Sequence, residues 1–370
     1  MSADRDSHRA GAGAGAARVE TAPYGSWASP FPIELLTQGV VRLCEAHFDG
    51  DDIWWLEGRA SEGGRQVLVR RRPDGSSHDI SPPGVNVRTR VHEYGGGAYA
   101  VDEGQAWFSD FGDGRWYAVG EGRTAMPITA EGAFRYADPA VDRGRARLIA
   151  VREDHSGDGE AINTLVTIPL DGSGDVRVLA SGADFYSSPR LAPDGRRLAW
   201  LSWNHPNMPW DGMDLWVAEM RPDGSLGTAE HVAGSASNWT TQPGWSPDGT
   251  LHFVDERTDW LNLYRRVGDR DLALAPAPAE FASPEWVFGR PSYGFDGDGR
   301  VVAIVRTGGR DELWSIAPDG SEWRSIATDF TELGTIEVAG HQAVLTGASA
   351  TRFNALVLLD LRVGFQLGLV

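Results

Sequence analysis

The chain has 370 residues, 41% of them hydrophobic, and a formal net charge of -18 with no cluster of Lys and Arg, which argues against a nucleic-acid partner. Its 46 glycines, 21 prolines and 15 tryptophans, with no apolar run near the ~20 residues that cross a bilayer, read as an all-β protein of many short strands without a membrane span. A single cysteine, Cys44 in the strand-like run "VVRLCEAHF", excludes an intrachain disulfide and a thiolate metal cage and leaves an inert buried thiol.

In chain order, residues 1–20 lack the apolar core of a secretion signal and read as a disordered tail, which implies a cytoplasmic protein. Residues 21–39, with "APYGSWASPFPIELL", read as an arm that packs on a partner domain. From residue 40 to 370 one kind of turn keeps returning. "PDG" stands at Pro73, Pro193, Pro222, Pro247 and Pro318, and looser Asp-Gly or Gly-Asp forms fill other positions. Proline presets φ, aspartate bonds the backbone ahead of it, and glycine accepts φ > 0.

One series of these turns, marked by Asp49, Asp102, Asp142, Asp194, Asp248, Asp298 and Gly340, separates a short strand from a strongly apolar one at spacings of roughly 40 to 50 residues. A second series, as in "VRRRPDGSSHDI" and "LWSIAPDGSEWRSIA", closes a later hairpin of the same unit. Four strands per unit and seven units predict a seven-bladed β-propeller of four-stranded antiparallel blades. A small twisted sheet cannot cover its own two apolar faces, so the blades stack around an axis; Trp54, Trp55, Trp107, Trp200, Trp216 and Trp314 are assigned to that packing. Blade seven shows three credible strands and only "FQLGLV" as a fourth. The ring is therefore expected either to stay open between blades one and seven or to be completed by the segment from Glu34 to Val41.

In an up-and-down blade, the first and last turns emerge on one rim and all other loops on the opposite one. The Asp-Gly turns thus make a plain rim. The other rim receives residues 89–99 ("TRVHEYGGGAY"), 152–163 ("REDHSGDGEAIN"), 203–212 ("WNHPNMPWDG"), 235–245, 255–262 and 281–294 ("FASPEWVFGRPSYG"). Irregular loops rich in charge and aromatics on a rigid scaffold are where function resides.

With these segments in view, the chain resembles the propeller half of bacterial serine peptidases of the prolyl oligopeptidase family, of the dipeptidyl aminopeptidase or acylaminoacyl peptidase type. The resemblance is carried by "APYGSWASPFPIELL", "VRTRVHEYGGGAY" and "SWNHPNMPWDG" and spans about Thr21 to Arg362. It implies an α/β-hydrolase domain that carries Ser, Asp and His, with the propeller capping the active site and filtering peptide substrates by size. No Gly-x-Ser-x-Gly elbow occurs in the sequence; "GWSPDG" at Gly244 has Asp248 in place of the second glycine. The chain is accordingly expected to be non-catalytic, with a missing hydrolase domain as partner.

The candidate substrate- or partner-facing residues are Arg88, Arg90, His92, Glu93, Tyr94, Asn204, His205, Trp210, Asp211 and Trp239. His92 and Glu93 suit a substrate amino terminus, since the resemblance implies propeller acids near the catalytic domain. In the alternative reading, Arg88, Arg90 and Glu93 pair with one another or with the partner domain, while Gly95–Gly97 relieve crowding where blade two begins. His205, Trp210 and Asp211 either line the cavity between the domains or belong to a loop stiffened by Pro206 and Pro209. Asp154 and His155 read as solvated loop residues. No metal or cofactor is assigned, because no His-x-His, His-Glu-x-x-His or EF-hand spacing is present.

Two other accounts remain. A stand-alone interaction propeller of the TolB or WD-repeat kind would show a polar irregular rim, where a docking surface would show an apolar one. A metal-dependent propeller hydrolase or lactonase would converge carboxylates and histidines on the axis.

Overall fold

The structure, a computed structural model, describes residues 21–29, 31–34, 39–363 and 365–369. Residues 1–20, the expected tail, lie outside the described residues, as does part of the expected arm, residues 30 and 35–38. The rest forms seven four-stranded antiparallel sheets, each built from consecutive strands in the order of the sequence. No helix of the described residues is long and apolar enough to cross a membrane.

The seven inner strands run Val41–Asp49, Tyr99–Asp102, Phe134–Asp142, Phe185–Leu191, Thr240–Trp245, Tyr293–Phe295 and Glu332–Ala339. Cores between successive blades join one sheet to the next, and a last one, with Trp55 and Val67 of blade one and Val344 and Leu356 of blade seven, closes the circle. Blade seven has its own fourth strand, Phe365–Leu369, paired to Arg352–Asp360. This corrects the expectation of an open or borrowed closure. Among the described residues no strand is exchanged, and the first and last blades meet through side-chain packing, an ion pair between His47 and Glu337 and the Phe48 amide donated to Glu337 Oε1 at 3.1 Å.

The turn chemistry is as the sequence implies. Asp74, Asp171, Asp194, Asp223, Asp248 and Asp319 each accept a hydrogen bond from the amide two residues ahead. These turns also join blades. Arg147 donates to the Gly224 carbonyl at 2.9 Å, Arg197 to that of Gly249 at 2.7 Å and Arg265 to that of Pro318 at 2.9 Å, each on the next blade.

Near the axis the inner strands are bulged, with register shifts between Cys44 and His47, Ala137 and Ala140, and Thr241 and Gly244. Glu45, Asp138 and Gln242 adopt positive φ there, a costly conformation for residues with side chains. Their side chains explain it, because each reaches the next blade. Glu45 Oε2 accepts the Ala98 amide at 3.2 Å, Asp138 Oδ2 that of Ser188 at 2.6 Å, and Gln242 Oε1 that of Ser292 at 2.9 Å.

Candidate functional site

A cavity of about 1400 Å³ runs along the axis and opens among the irregular loops. Pockets for drug-sized ligands are about 300–1,000 Å³, so this one has room for a short peptide. Its axial wall carries the charged residues Asp138, Arg190 and Glu337 with His47; its mouth is aromatic.

His92, Glu93, Tyr94, His205 and Trp210 all line this cavity, coming from the segment ahead of blade two and from the long loop of blade four. His92 and Glu93 both have positive φ, 52° and 67°, which aims consecutive side chains differently from a strand. The His92 ring is set among Phe185, Trp203 and Phe288, with centroids 4.9 to 5.3 Å away, and its Nε2 is 3.2 Å from Asn163 Oδ1. Burial pushes this imidazole down to about 4, so at neutral pH it is an uncharged, apolar-packed ring. Glu93 is largely exposed and lies 3.8 Å from Arg135.

The other candidates point elsewhere. Arg88 and Arg90 both lie over the ring of Phe111, 4.9 and 4.5 Å from its centroid. Asn204 Oδ1 accepts the Asp184 amide, and Asp211 Oδ2 accepts the Met208 amide, so both fix loop shape. Trp239 is 5% exposed and packs in the core of blades four to six. Asp154 is tied to Ser156, while His155 pairs with Glu153 at 2.9 Å.

Several lining residues were not singled out from the sequence. Glu153 accepts the His92 amide at 2.7 Å and holds the loop ahead of blade two against blade three. Trp286 meets Trp210 at 4.5 Å and Tyr94 at 5.4 Å. Phe288 donates its amide to the Gly95 carbonyl at 2.9 Å. The "GGG" run was the available signal: all three glycines have positive φ, a Cβ on Gly96 would collide with the Phe288 backbone, and one on Gly97 would lie 2.8 Å from Asp138 N. Burial pushes Glu45 and Glu285 up to about 7. At His47 burial acts to lower the pKa, but the Glu337 carboxylate outweighs it and the imidazolium is favoured.

Among the described residues, the one cluster with metal-ligand spacing is Asp296, Asp298 and His341, on the plain rim and away from the cavity. Asp296 Oδ1 is already taken by the amides of Asp298 and Arg300.

The irregular rim is studded with exposed apolar side chains. Tyr94, Met208, Trp260 and Trp286 come from four loops, and Ile162 and Phe353 stand at the starts of two strands, Phe353 being 97% exposed.

No family model matches the chain, and no curated protein matches it by sequence. Solved structures do. A puromycin hydrolase is 34% identical over 94% of this chain, with a TM-score of 0.87. A puromycin-hydrolyzing peptidase of Mycobacterium tuberculosis is 31% identical over 94% of it, with a TM-score of 0.86. A structure from a study of two prolyl endopeptidases is 11% identical with a TM-score of 0.67, a likeness of fold alone. The chain spans 56% of each of the first two and 49% of the third.

Proposed function

We infer that this chain, a β-propeller of the prolyl oligopeptidase family, is the substrate-gating and domain-docking part of a peptide-hydrolysing serine enzyme and carries no catalytic residue itself. The observation that carries the reading is the apolar rim. Tyr94, Met208 and Trp286 line the cavity mouth and Ile162, Trp260 and Phe353 are exposed on the same rim, whereas of the exposed aromatics among the described residues of the blades only Trp323 lies beside a plain-rim turn. An isolated interaction propeller has no reason to gather its exposed aromatics at one end; a surface that meets a catalytic domain does.

Short peptides or aminoacyl compounds are the substrates that this reading assigns to the cavity, in keeping with the puromycin hydrolases that the chain is similar to. His92, Glu93, Tyr94, His205 and Trp210 would face them from the mouth. Arg88, Arg90, Asn204, Asp211 and Trp239 would serve by fixing loops and blades. A lone free thiol suits a reducing compartment such as the cytoplasm.

The direct test is to mix this chain with the hydrolase domain of a puromycin hydrolase and measure association and turnover of an aminoacyl chromogenic substrate. A stable complex whose turnover disappears with a serine-directed inhibitor is expected, with none from this chain alone. Turnover by this chain alone, or no complex under any condition, would overturn the reading.

A further inference from the structure

The segment between blades five and six does not stay on its own side of the ring. Its first part is anchored: Phe281 donates its amide to Leu261 at 2.8 Å, and Glu280 and Arg306 exchange both backbone hydrogen bonds at 3.0 and 2.9 Å. From Pro284 onward it crosses the cavity mouth. Trp286 touches Trp210 of blade four and Tyr94 ahead of blade two, and Phe288 forms a parallel bridge with Gly96. The return is anchored again, by Gln242 Nε2 on the Arg290 carbonyl at 3.1 Å and by the Ile336 amide on the Pro291 carbonyl at 3.0 Å.

In a ring of seven, blades two and six lie nearly opposite each other, so these residues form a strap across the axis. It is firmly rooted at both ends and held at its middle by one short bridge, by aromatic edges and by the Glu285 carboxyl beside Thr241. Its seat is made of glycine. At Gly96 any side chain would meet the Phe288 backbone, and at Gly97 the next wall, the Asp138 backbone, is equally close. Seating the strap therefore needs a residue without Cβ at Gly96 and leaves little room for one at Gly97, where Phe288 Cβ would be 3.1 Å away, whereas Gly95 is required by the Thr89 carbonyl of its own loop.

We propose that residues 284–290 are a movable size filter: seated on Gly95–Gly97 they confine the mouth to the side of blades three and four, and lifting Trp286 and Phe288 admits longer peptides to the cavity. The filter rests on the reading of the cavity as a peptide passage. The movement itself does not.

Two measurements on this chain separate these points. Hydrogen exchange should show the amides of residues 284–290 opening while the strands of blades two and six stay protected. Gly96→Val should speed that local opening on the order of tenfold, as loss of a hydrogen bond and an aromatic contact implies. Trp286→Ala, which leaves the glycine seat intact, should act in the same direction if Gly96→Val disturbs folding. Strap amides that exchange only with the whole ring would overturn the proposal.

The second measurement is binding of labelled peptides of three and twelve residues by fluorescence anisotropy. Trp286→Ala should bind the longer peptide about tenfold tighter relative to the shorter one than the unsubstituted chain does. An equal effect on both lengths overturns the filter even if the strap moves. Failure of both proteins to bind either peptide overturns the peptide reading of the cavity and the filter with it, while the exchange result stands by itself.

Discussion

Trp54 and Trp55 are adjacent in one strand yet belong to different cores, the first buried against blade two and the second against blade seven. Period-2 alternation along a strand makes this unavoidable, and here it ties both neighbours of blade one to a single dipeptide. Truncating either indole should cost about 3–5 kcal/mol, the usual price of a buried tryptophan. Urea unfolding measures it. Trp55→Ala should also raise hydrogen exchange in Gln342–Ser349 of blade seven, because the first and last blades have side-chain contact and no shared strand. Unchanged protection there would mean that the seam is held by something other than this core.

Asp138 should matter more than its distance from any turn suggests. It is 3% exposed and accepts both the Ser188 amide at 2.6 Å and Arg190 Nη1 at 2.9 Å. Asp138→Ala leaves the buried Ser188 amide without an acceptor and Arg190, about a third exposed, with the Pro189 carbonyl at 3.0 Å in place of its carboxylate, a loss of about 1–3 kcal/mol. Thermal unfolding should show a drop in Tm, and Asp138→Asn, which keeps an acceptor for Ser188, should recover part of it.

Two buried groups give stability opposite slopes with pH. The folded chain holds His92 near 4 against an ordinary 6.5, so its contribution is present above pH 6.5 and is lost as pH falls toward 4. Glu45 goes the other way: held near 7 against an ordinary 4.5, it costs nothing below pH 4.5 and destabilises progressively as pH rises to 7. His92→Phe should flatten the acid side of a stability profile. Glu45→Gln, which retains an oxygen for the Ala98 amide, should become more stable relative to the unsubstituted chain between pH 5 and 8. Parallel profiles would show that neither group titrates as its surroundings require.

The exposed rim offers a cleaner separation of stability from association. Ile162, Trp260 and Phe353 are 65%, 40% and 97% exposed. Changing all three to Ser should leave unfolding within about 0.5 kcal/mol per site. Association with a hydrolase domain, measured by calorimetry, should weaken at least tenfold. Loss of stability without loss of association would assign these residues to the fold.

The seven blades were legible because one turn, with its aspartate and glycine, repeats at blade spacing and dictates a local backbone. The last strand was not, since "FQLGLV" is short and its partner, Arg352–Asp360, alone reveals it. The mouth was half legible. His92, Tyr94, His205 and Trp210 sit on loops dense in aromatics and proline, which sequence can flag. Trp239 sits in a similar run yet points into a core, because one residue's shift along a strand exchanges inside for outside. The contact of Phe288 with Gly96 has no sequence signature beyond three adjacent glycines, since the two positions lie far apart in the chain and meet only once the ring is closed.

Each blade is made of consecutive residues, and that arrangement has a consequence for biosynthesis. A nascent chain can complete every ladder as soon as its own segment clears the ribosome, with no strand kept waiting for a distant mate. Among the described residues, the seam between the first and last sheets and the crossing of residues 286–288 over the axis join the most distant parts of the chain, so assembly is a run of local steps ended by these late ones.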